Sequence, residues 1–129
     1  MYHVADFIIR IKNASAARRK EVVMPYSKIS KSIAKLLVKE GFLADVKEAE
    51  LEGKKVIQVG IRYVRRKPVV STVTIISKPS LRAYFDIAGL KGQNRKDSTT
   101  LVISTSKGIM TAKQALKENI GGELLFKIG

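Results

Sequence analysis

The chain has 129 residues and a mass of 14.3 kDa, which is enough for one domain or for two small modules that share an interface. It contains no Cys and a single His, which excludes a disulfide scaffold, a thiol nucleophile and a Cys-ligated or multi-His metal centre, so we expect no cofactor. The 25 Lys and Arg residues against 11 Asp and Glu give a net charge of +14. Such an excess predicts a polyanionic partner, either nucleic acid or an anionic membrane surface.

The sequence lacks the features of a membrane or secreted protein. No apolar run approaches the roughly 18–20 residues that span a bilayer. The first residues lack the apolar core and the small-residue cleavage site of a secretion signal. We therefore expect a cytosolic protein with no membrane partner.

Apolar periodicity in the first third of the chain predicts two helices around a short strand. The strand, Val22–Met24, is expected to stop at Pro25. Ser27 suits the N-cap of the second helix and Gly41 suits its C-terminal end. The apolar stripes are formed by Val4, Phe7, Ile8 and Ile11 in the first helix and by Ile29, Ile33, Leu36 and Leu37 in the second.

A hairpin is predicted after the second helix, with Glu52-Gly53 as its turn. Its first strand begins at Phe42-Leu43 and includes Val46. The return strand shows apolar alternation through Ile57, Val59, Ile61 and Tyr63. We interpret the basic segment Val64–Pro68 that follows as a link between two modules.

The second half is rich in β-branched residues and predicts strands joined by turns, with one short helix. Thr111 and Gln114 match the capping box at the start of that helix, which is expected to reach Asn119. The segment Asp86–Ser98 is polar and contains two glycines, so we expect a loop there with at most one helical turn. The expected extended pieces are Val69–Ile76, Leu81–Phe85, Thr100–Ile103 and Glu123–Ile128, with a turn at Lys78–Ser80 and a helix stop at Gly121-Gly122.

The order of these elements predicts an α+β fold of two small modules. Residues 1–67 are expected to form an N-terminal α-β-α-β-β module, and residues 68–129 a C-terminal β-rich module with one short helix. The first carries 16 basic and 7 acidic residues and the second 9 and 4, so either module can contact a polyanion. Five of the seven acids of the first lie between Glu40 and Glu52, so the hairpin is expected to point away from a phosphate backbone.

The second helix carries a basic stripe at spacings of three and four residues, formed by Lys28, Lys31, Lys35 and Lys39. The stripe is either a phosphate-facing edge or an ordinary solvated helix face. The absence of acidic partners at i,i+4 favours contact for Lys28 and Lys31.

The segment Ser104-Thr105-Ser106-Lys107-Gly108 is expected to lie between a strand and a capped helix. Its three hydroxyls can donate and accept hydrogen bonds, its glycine permits close backbone approach, and a helix N-terminus would add free N–H groups. Such a loop suits irregular RNA, although an ordinary polar loop has the same composition.

Two further features of the second half bear on nucleic-acid binding. Tyr84 follows Arg82 in an extended piece, where it would either stack on an unpaired base or pack in a core or an interface. Gly89–Gly92 matches the GXXG of a KH domain, but the flanking helices of that domain are not evident.

The segment Ser104–Thr111, followed by Gly121–Glu123, resembles the C-terminal signature of the eighth small-subunit ribosomal protein family, bacterial type. Three other stretches, Ala5–Asn13, Met24–Phe42 and Ser77–Tyr84, resemble the same family in order and spacing. The resemblance extends over essentially the whole chain.

This resemblance implies two α/β modules that bind a helical region in the central domain of small-subunit rRNA and support its assembly next to neighbouring ribosomal proteins. In some bacteria it also implies repression of the family's own operon through a mimic site in mRNA. The residues implied in RNA binding are Ser104, Thr105, Ser106, Lys107, Gly108, Tyr84, Arg82, Ser80, Glu123, Lys28 and Lys31.

Two other hypotheses compete with a structural RNA-binding protein. Ser27–Phe42 followed by a hairpin is also typical of a DNA-binding winged helix, with a Lys-edged helix for the major groove. A basic nuclease is disfavoured, because the acids of the second half show no spacing of a metal site or an acid/base pair.

Overall fold

In the computed structural model, which describes residues 3–78, 80–94 and 99–129, helices and antiparallel sheets build the α+β fold that the sequence predicts. The chain divides into two units, Met1–Ser71 and Thr72–Gly129. Each unit has a sheet of its own with helices packed on it. No helix within the described ranges is long and apolar enough to cross a bilayer.

The first unit contains two helices and a three-stranded antiparallel sheet, followed by a small hairpin. Its elements are α1 (His3–Ala16), β1 (Glu21–Pro25), α2 (Lys28–Lys39), β2 (Leu43–Leu51), β3 (Lys54–Ile61), β4 (Tyr63–Val64) and β5 (Lys67–Pro68). The sheet has the order β1-β3-β2. The α-β-α-β-β order predicted from apolar periodicity is confirmed.

The predicted apolar stripes form the core of this unit. Alternate residues of β3 and one face of each helix are buried together, because period-2 and period-3.6 patterns each place their apolar side chains on one side. The buried residues include Val4, Phe7, Ile8 and Ile11 of α1, Met24 of β1, Ile33 and Leu37 of α2, Leu43 of β2, and Ile57, Val59 and Ile61 of β3. Ile29 and Leu36 of the predicted α2 stripe are only half-buried.

The ends of α2 are those that the sequence predicts. The Ser27 hydroxyl accepts a hydrogen bond from the Ser30 N–H at 3.1 Å, which satisfies one of the free donors of the first turn. Glu40 is the C-cap, and the chain turns away at Gly41. The cap fixes where the basic stripe of α2 begins.

The basic segment Val64–Pro68 is not the link that the sequence predicts. It contains a two-residue turn, with Val64 paired to Lys67 and both Arg65 and Arg66 at positive φ. Tyr63 therefore belongs to this second hairpin and not to the return strand of the first. A tight turn was missed because it lacks the usual Asn and Gly.

The second unit has a larger antiparallel sheet and two helices. Its elements are β6 (Val73–Ile75), β7 (Tyr84–Phe85), α3 (Ile87–Asn94), β8 (Thr100–Thr105), β9 (Gly108–Thr111), α4 (Ala112–Lys117) and β10 (Gly122–Ile128). The strand order is β6-β10-β8-β9, and β7 pairs with the beginning of β10. The strand expected over Val69–Ile76 is shorter than predicted, since β6 covers only Val73–Ile75.

The segment Asp86–Ser98 was predicted to be mainly loop, but its first part is the helix α3. The Asp86 carboxylate accepts a hydrogen bond from the Gly89 N–H at 2.8 Å and caps this helix. Leu90 is fully buried in a cluster with Ile103, Leu124 and other apolar side chains. Residues 95–98 of the predicted loop, like Pro79 of the predicted turn, lie outside the described residues.

The position of α3 also removes the KH hypothesis. In a KH domain, GXXG is a loop that clamps the nucleic-acid backbone. Here Gly89–Gly92 lies inside the helix.

We expect Leu90→Ala to lower the free energy of unfolding by about 2–5 kcal/mol, because it opens a cavity in the core of the second unit. Urea denaturation measures the change. The control is Lys91→Ala, an exposed position on the same helix, where we expect a change within about 0.5 kcal/mol. Equal and small effects at both positions would show that α3 is not part of this core.

Candidate nucleic-acid interface

The Ser104–Gly108 segment is a β-hairpin turn and not the open loop that the sequence predicts. Ser104 and Thr105 end β8, Ser106 and Lys107 form the turn, and Gly108 begins β9. Thr105 pairs with Gly108, and Ser104 pairs with Ile109. The sequence missed β9, because four residues between a polar turn and a helix cap give little periodicity.

The hydroxyl of Thr105 closes this turn from the inside. It donates to the Gly108 carbonyl at 2.8 Å and accepts from the Lys107 N–H at 3.1 Å. Gly108 has φ +112, a conformation that L side chains rarely adopt. Thr105 and Gly108 therefore shape the turn, whereas Ser106 and Lys107 are exposed at its tip.

The helix N-terminus expected beside this turn lies elsewhere. Helix α4 begins at Ala112, after the whole of β9. The Thr111 hydroxyl accepts from the Gln114 N–H at 3.2 Å, as predicted, but the Gln114 side chain donates to Glu118 instead of completing the capping box. The free N–H groups of α4 are thus at the opposite end of β9 from the turn.

The start of β10 brings two neighbouring segments to the same place. Glu123 pairs with Ser104 of β8 on one side and with Tyr84 of β7 on the other. A Cβ on Gly122 would overlap the Ser104 carbonyl, and one on Gly121 would overlap the Phe85 carbonyl. The two glycines are needed so that three backbones can approach this closely.

The carboxylate of Glu123 holds the segment before β7 in place. It accepts hydrogen bonds from the Ser77 hydroxyl and from the Arg82 guanidinium, the latter at 3.1 Å. The Ser77 hydroxyl is fully buried and also accepts from the Ala83 N–H at 3.2 Å. Lys78 and Leu81 exchange two backbone hydrogen bonds of 3.0 Å across the intervening turn. The segment is therefore fixed at both ends against β10.

This arrangement leaves an aromatic ring and an aliphatic side chain on the surface. Tyr84 is 71% exposed and Leu81 is 76% exposed. The alternative that Tyr84 packs in a core is therefore wrong within this unit. Ser80 is exposed in the turn between Lys78 and Leu81. An exposed ring beside a carboxylate-held arginine is a surface on which an unpaired base can stack.

The structure thus joins nine of the eleven predicted site residues through three adjacent strands of the second unit. They are Ser80, Arg82, Tyr84, Ser104, Thr105, Ser106, Lys107, Gly108 and Glu123. Ser77, which connects Glu123 to the turn, has no role predicted from the sequence. Its signal, a serine between apolar residues and a Pro turn, is too common to single out.

The two remaining predicted residues, Lys28 and Lys31, lie on α2 in the first unit. Lys28 is exposed at the first turn. Lys31 Nζ forms a 2.7 Å ion pair with Glu48 of β2, and Lys55 Nζ lies 2.9 Å from the other oxygen of Glu48. The sequence missed the partner of Lys31 because it comes from another element. Hydrogen bonds from Lys31 and Lys55 lower the pKa of Glu48 from 4.5 to about 2.

Comparisons with known proteins identify the family of the chain. The family model described as Ribosomal protein S8 matches residues 3–128. A small ribosomal subunit protein uS8 from Nitrosomonas eutropha is 40% identical over 122 residues, covering 95% of this chain and 92% of the relative. Proteins of the same name from Leptospira biflexa serovar Patoc and Nostoc punctiforme are 40% and 37% identical, covering 97% and 95% of this chain.

The chain is thus a small basic α+β protein whose candidate interface includes an exposed hairpin turn. The chain belongs to the ribosomal protein S8 family. The resemblance inferred from the Ser104–Thr111 signature is therefore confirmed.

The ion pairs of Glu48 predict a pH dependence of stability. Because the carboxylate stays charged to about pH 2 in the folded chain but only to 4.5 in the unfolded chain, its stabilisation is complete above about pH 4.5 and is lost as the pH falls towards 2. We expect Glu48→Gln to reduce the fall in melting temperature across this window, as measured by circular dichroism.

The control is Glu50→Gln on the same strand, since Glu50 makes no ion pair within the described part of the chain. It should keep the wild-type pH dependence. A Glu48→Gln curve parallel to that of the wild type between pH 4.5 and 2 would contradict the assignment.

Proposed function

We propose that this chain is a structural constituent of the small ribosomal subunit in the cytoplasm. It is a primary rRNA-binding protein that recognises a helical region in the central domain of small-subunit rRNA and supports its assembly. The observation that carries the proposal is the convergence on Glu123 of the Ser106-Lys107 hairpin turn and the Arg82–Tyr84 segment. Membership of a family of structural ribosomal proteins favours this role over catalysis.

The hairpin turn supplies hydrogen bonds and charge to the RNA. The Ser106 hydroxyl can donate to a phosphate or a base edge and accept from a 2′-hydroxyl. Lys107 is exposed and lies 3.9 Å from the Glu118 carboxylate, so its ammonium can turn towards a phosphate. The closed geometry set by Thr105 and Gly108 fixes where both side chains point, which lowers the entropy lost on binding.

The Arg82–Tyr84 segment supplies stacking. The exposed ring of Tyr84 offers a flat apolar surface to a base that has left a regular stack. The hydrogen bond from Arg82 to Glu123 orients the guanidinium before RNA arrives. Regular duplexes bury their bases, so stacking of this kind selects an irregular helical region.

Lys28 and Lys31 are proposed to contact phosphates from the first unit. Their contributions differ, because Lys31 shares its charge with Glu48 whereas Lys28 is exposed at the helix start. Lys28 is therefore the stronger of the two contacts. Both act without regard to sequence, since a point charge on a phosphate carries no sequence information.

The same second-unit surface would serve translational feedback. An mRNA of the chain's own operon that reproduces the irregular helical region would offer the same phosphates, 2′-hydroxyls and unstacked base. The chain would then repress that operon when rRNA is saturated. Neighbouring small-subunit proteins are the other proposed partners.

The winged-helix hypothesis has no comparable support. It assigns DNA recognition to α2, where Lys31 is paired with Glu48. It gives no role to the Ser106-Lys107 turn and the Arg82–Tyr84 segment, which meet at Glu123. A titration that compares structured RNA with duplex DNA at physiological salt separates the two hypotheses.

We expect Ser106→Ala to leave folding intact but to weaken binding to a central-domain rRNA fragment by about 1–3 kcal/mol, because a buried polar partner in the RNA is left unsatisfied. Filter binding against this fragment, with a scrambled stem as competitor, measures the change at several salt concentrations. The control is Thr74→Ala, which removes an exposed hydroxyl from β6 at the other edge of the sheet.

Thr74→Ala should leave the affinity unchanged. If Ser106→Ala lowered only the melting temperature and not the affinity, the turn would be purely structural. If the wild type did not prefer the fragment to the scrambled stem, the proposed function would be wrong.

A further inference from the structure

Two basic runs that lie far apart in the sequence meet in the first unit. Three hydrogen bonds join Arg18-Arg19-Lys20 to the chain around the β4–β5 hairpin. The Ile61 N–H donates to the Lys20 carbonyl at 2.8 Å. The Tyr63 hydroxyl donates to the Arg19 carbonyl, and the Arg18 guanidinium donates to the Arg66 carbonyl, each at 2.6 Å.

These contacts collect six cations, which we call the arginine junction: Arg18, Arg19, Lys20, Arg65, Arg66 and Lys67. All six are exposed. Within the described parts of the chain none of them forms an ion pair with a carboxylate, and Glu21, the nearest acid in sequence, is not paired with them. Collecting six unpaired positive charges costs self-repulsion, which an external polyanion would relieve.

The backbone of the arginine junction adds a second, independent observation. Arg18, Arg65 and Arg66 have φ of 57, 53 and 67, so three of its six residues adopt the left-handed conformation. A two-residue hairpin with positive φ at both positions is normally made by Asn-Gly, which adopts it at lower cost. Arginines at these positions make the turn less stable, but they place positive charge at its tip.

We propose that the arginine junction is a second RNA-binding surface, which binds backbone phosphates of double-stranded RNA without regard to sequence. It adds residues of the first unit other than Lys28 and Lys31 to the proposed function, and it does not depend on the Ser106-Lys107 turn. Guanidinium groups match phosphate oxygens with two parallel N–H donors each. A protein-binding surface would instead be expected to offer exposed aromatic anchors beside its arginines, whereas the Tyr63 ring at the junction is half-buried and its hydroxyl donates to the Arg19 carbonyl.

The turn itself provides a test in which loss of binding cannot be attributed to unfolding. Arg65→Asn with Arg66→Gly places the preferred Asn-Gly pair in the same turn and removes two charges. The Arg66 carbonyl that accepts from Arg18 belongs to the backbone and is retained. We therefore expect a melting temperature equal to or above that of the wild type.

The matched control removes two charges elsewhere in the same unit. Lys47→Gln with Lys54→Gln changes two exposed lysines of the β2–β3 hairpin, so the net charge of both variants is equal. The full chain is titrated in each case with the central-domain rRNA fragment and with an RNA duplex of unrelated sequence. Both titrations are made at several salt concentrations.

We expect the Arg65→Asn/Arg66→Gly variant to lose roughly tenfold in affinity for both RNAs, with a log–log salt slope that is less steep by about 1–2. The ratio of the two affinities should be unchanged, because phosphate contacts carry no sequence information. The lysine control should keep both affinities within about twofold.

Wild-type affinities and slopes in the arginine variant would overturn the proposal, and so would an equal loss in the lysine control, which would indicate a general effect of net charge. An arginine junction that binds an acidic protein instead would also give unchanged RNA titrations. The test remains separate from the proposed function, since absence of a preference for the rRNA fragment would overturn that function while the duplex titration still decides this one.

Discussion

The carboxylate of Glu123 is the contact on which the candidate interface depends. It lies at the start of β10, between β7 and β8, and its side chain is only 15% exposed. A carboxylate in such a place needs donors, and Ser77 and Arg82 supply them. Because Ser77 also accepts from the Ala83 N–H, this one carboxylate fixes the conformation of a turn that has no regular strand of its own.

The Gly121-Gly122 pair makes this contact possible. The strands on both sides of β10 approach so closely that a side chain at either glycine would meet a backbone carbonyl. Small residues at a strand start would otherwise weaken the strand, since glycine loses more entropy on folding than other residues. The cost is balanced by bringing the hairpin turn and the exposed Tyr84 to the same strand end.

Ion pairs determine where positive charge remains available on the surface. Because the chain has 25 basic and 11 acidic residues, the positions of the paired acids determine which cations remain available to a partner. Glu48 engages Lys31 and Lys55, and Glu123 engages Arg82. Within the described residues no carboxylate forms an ion pair with the arginine junction, so its positive charge is not compensated there.

Patterns that depend on burial were predictable from the sequence. The stripes of α1 and α2, the Ser27 cap and the β2–β3 hairpin follow from periodicity and local chemistry, which act over a few residues. Helix α3 was expected to be at most one turn, because its two glycines lower helix propensity, whereas Asp86 and the buried Leu90 stabilise a longer helix. The β4–β5 turn was missed because arginines occupy positions that favour Asn and Gly.

The candidate site was only partly predictable, for a related reason. The Ser104–Thr111 signature identified the segment, but the internal role of the Thr105 hydroxyl requires knowledge of the turn geometry. The Ser77–Glu123 contact joins residues 46 positions apart, and no local pattern can indicate it. The sequence thus identified the polar segments of the candidate site, whereas the pairing of β10 with β7 and β8 determined which of their residues lie together.

The role of Glu123 in organising the candidate interface is tested most directly by the affinity of Glu123→Ala for the central-domain rRNA fragment relative to the scrambled stem. The ladder of β10 with β8 uses backbone groups and should persist, whereas Ser77 and Arg82 lose their acceptor. We expect a folded chain whose preference for the fragment falls by roughly tenfold or more, with unchanged binding to the scrambled stem. A folded variant that retains the full preference would show that Glu123 does not organise the interface.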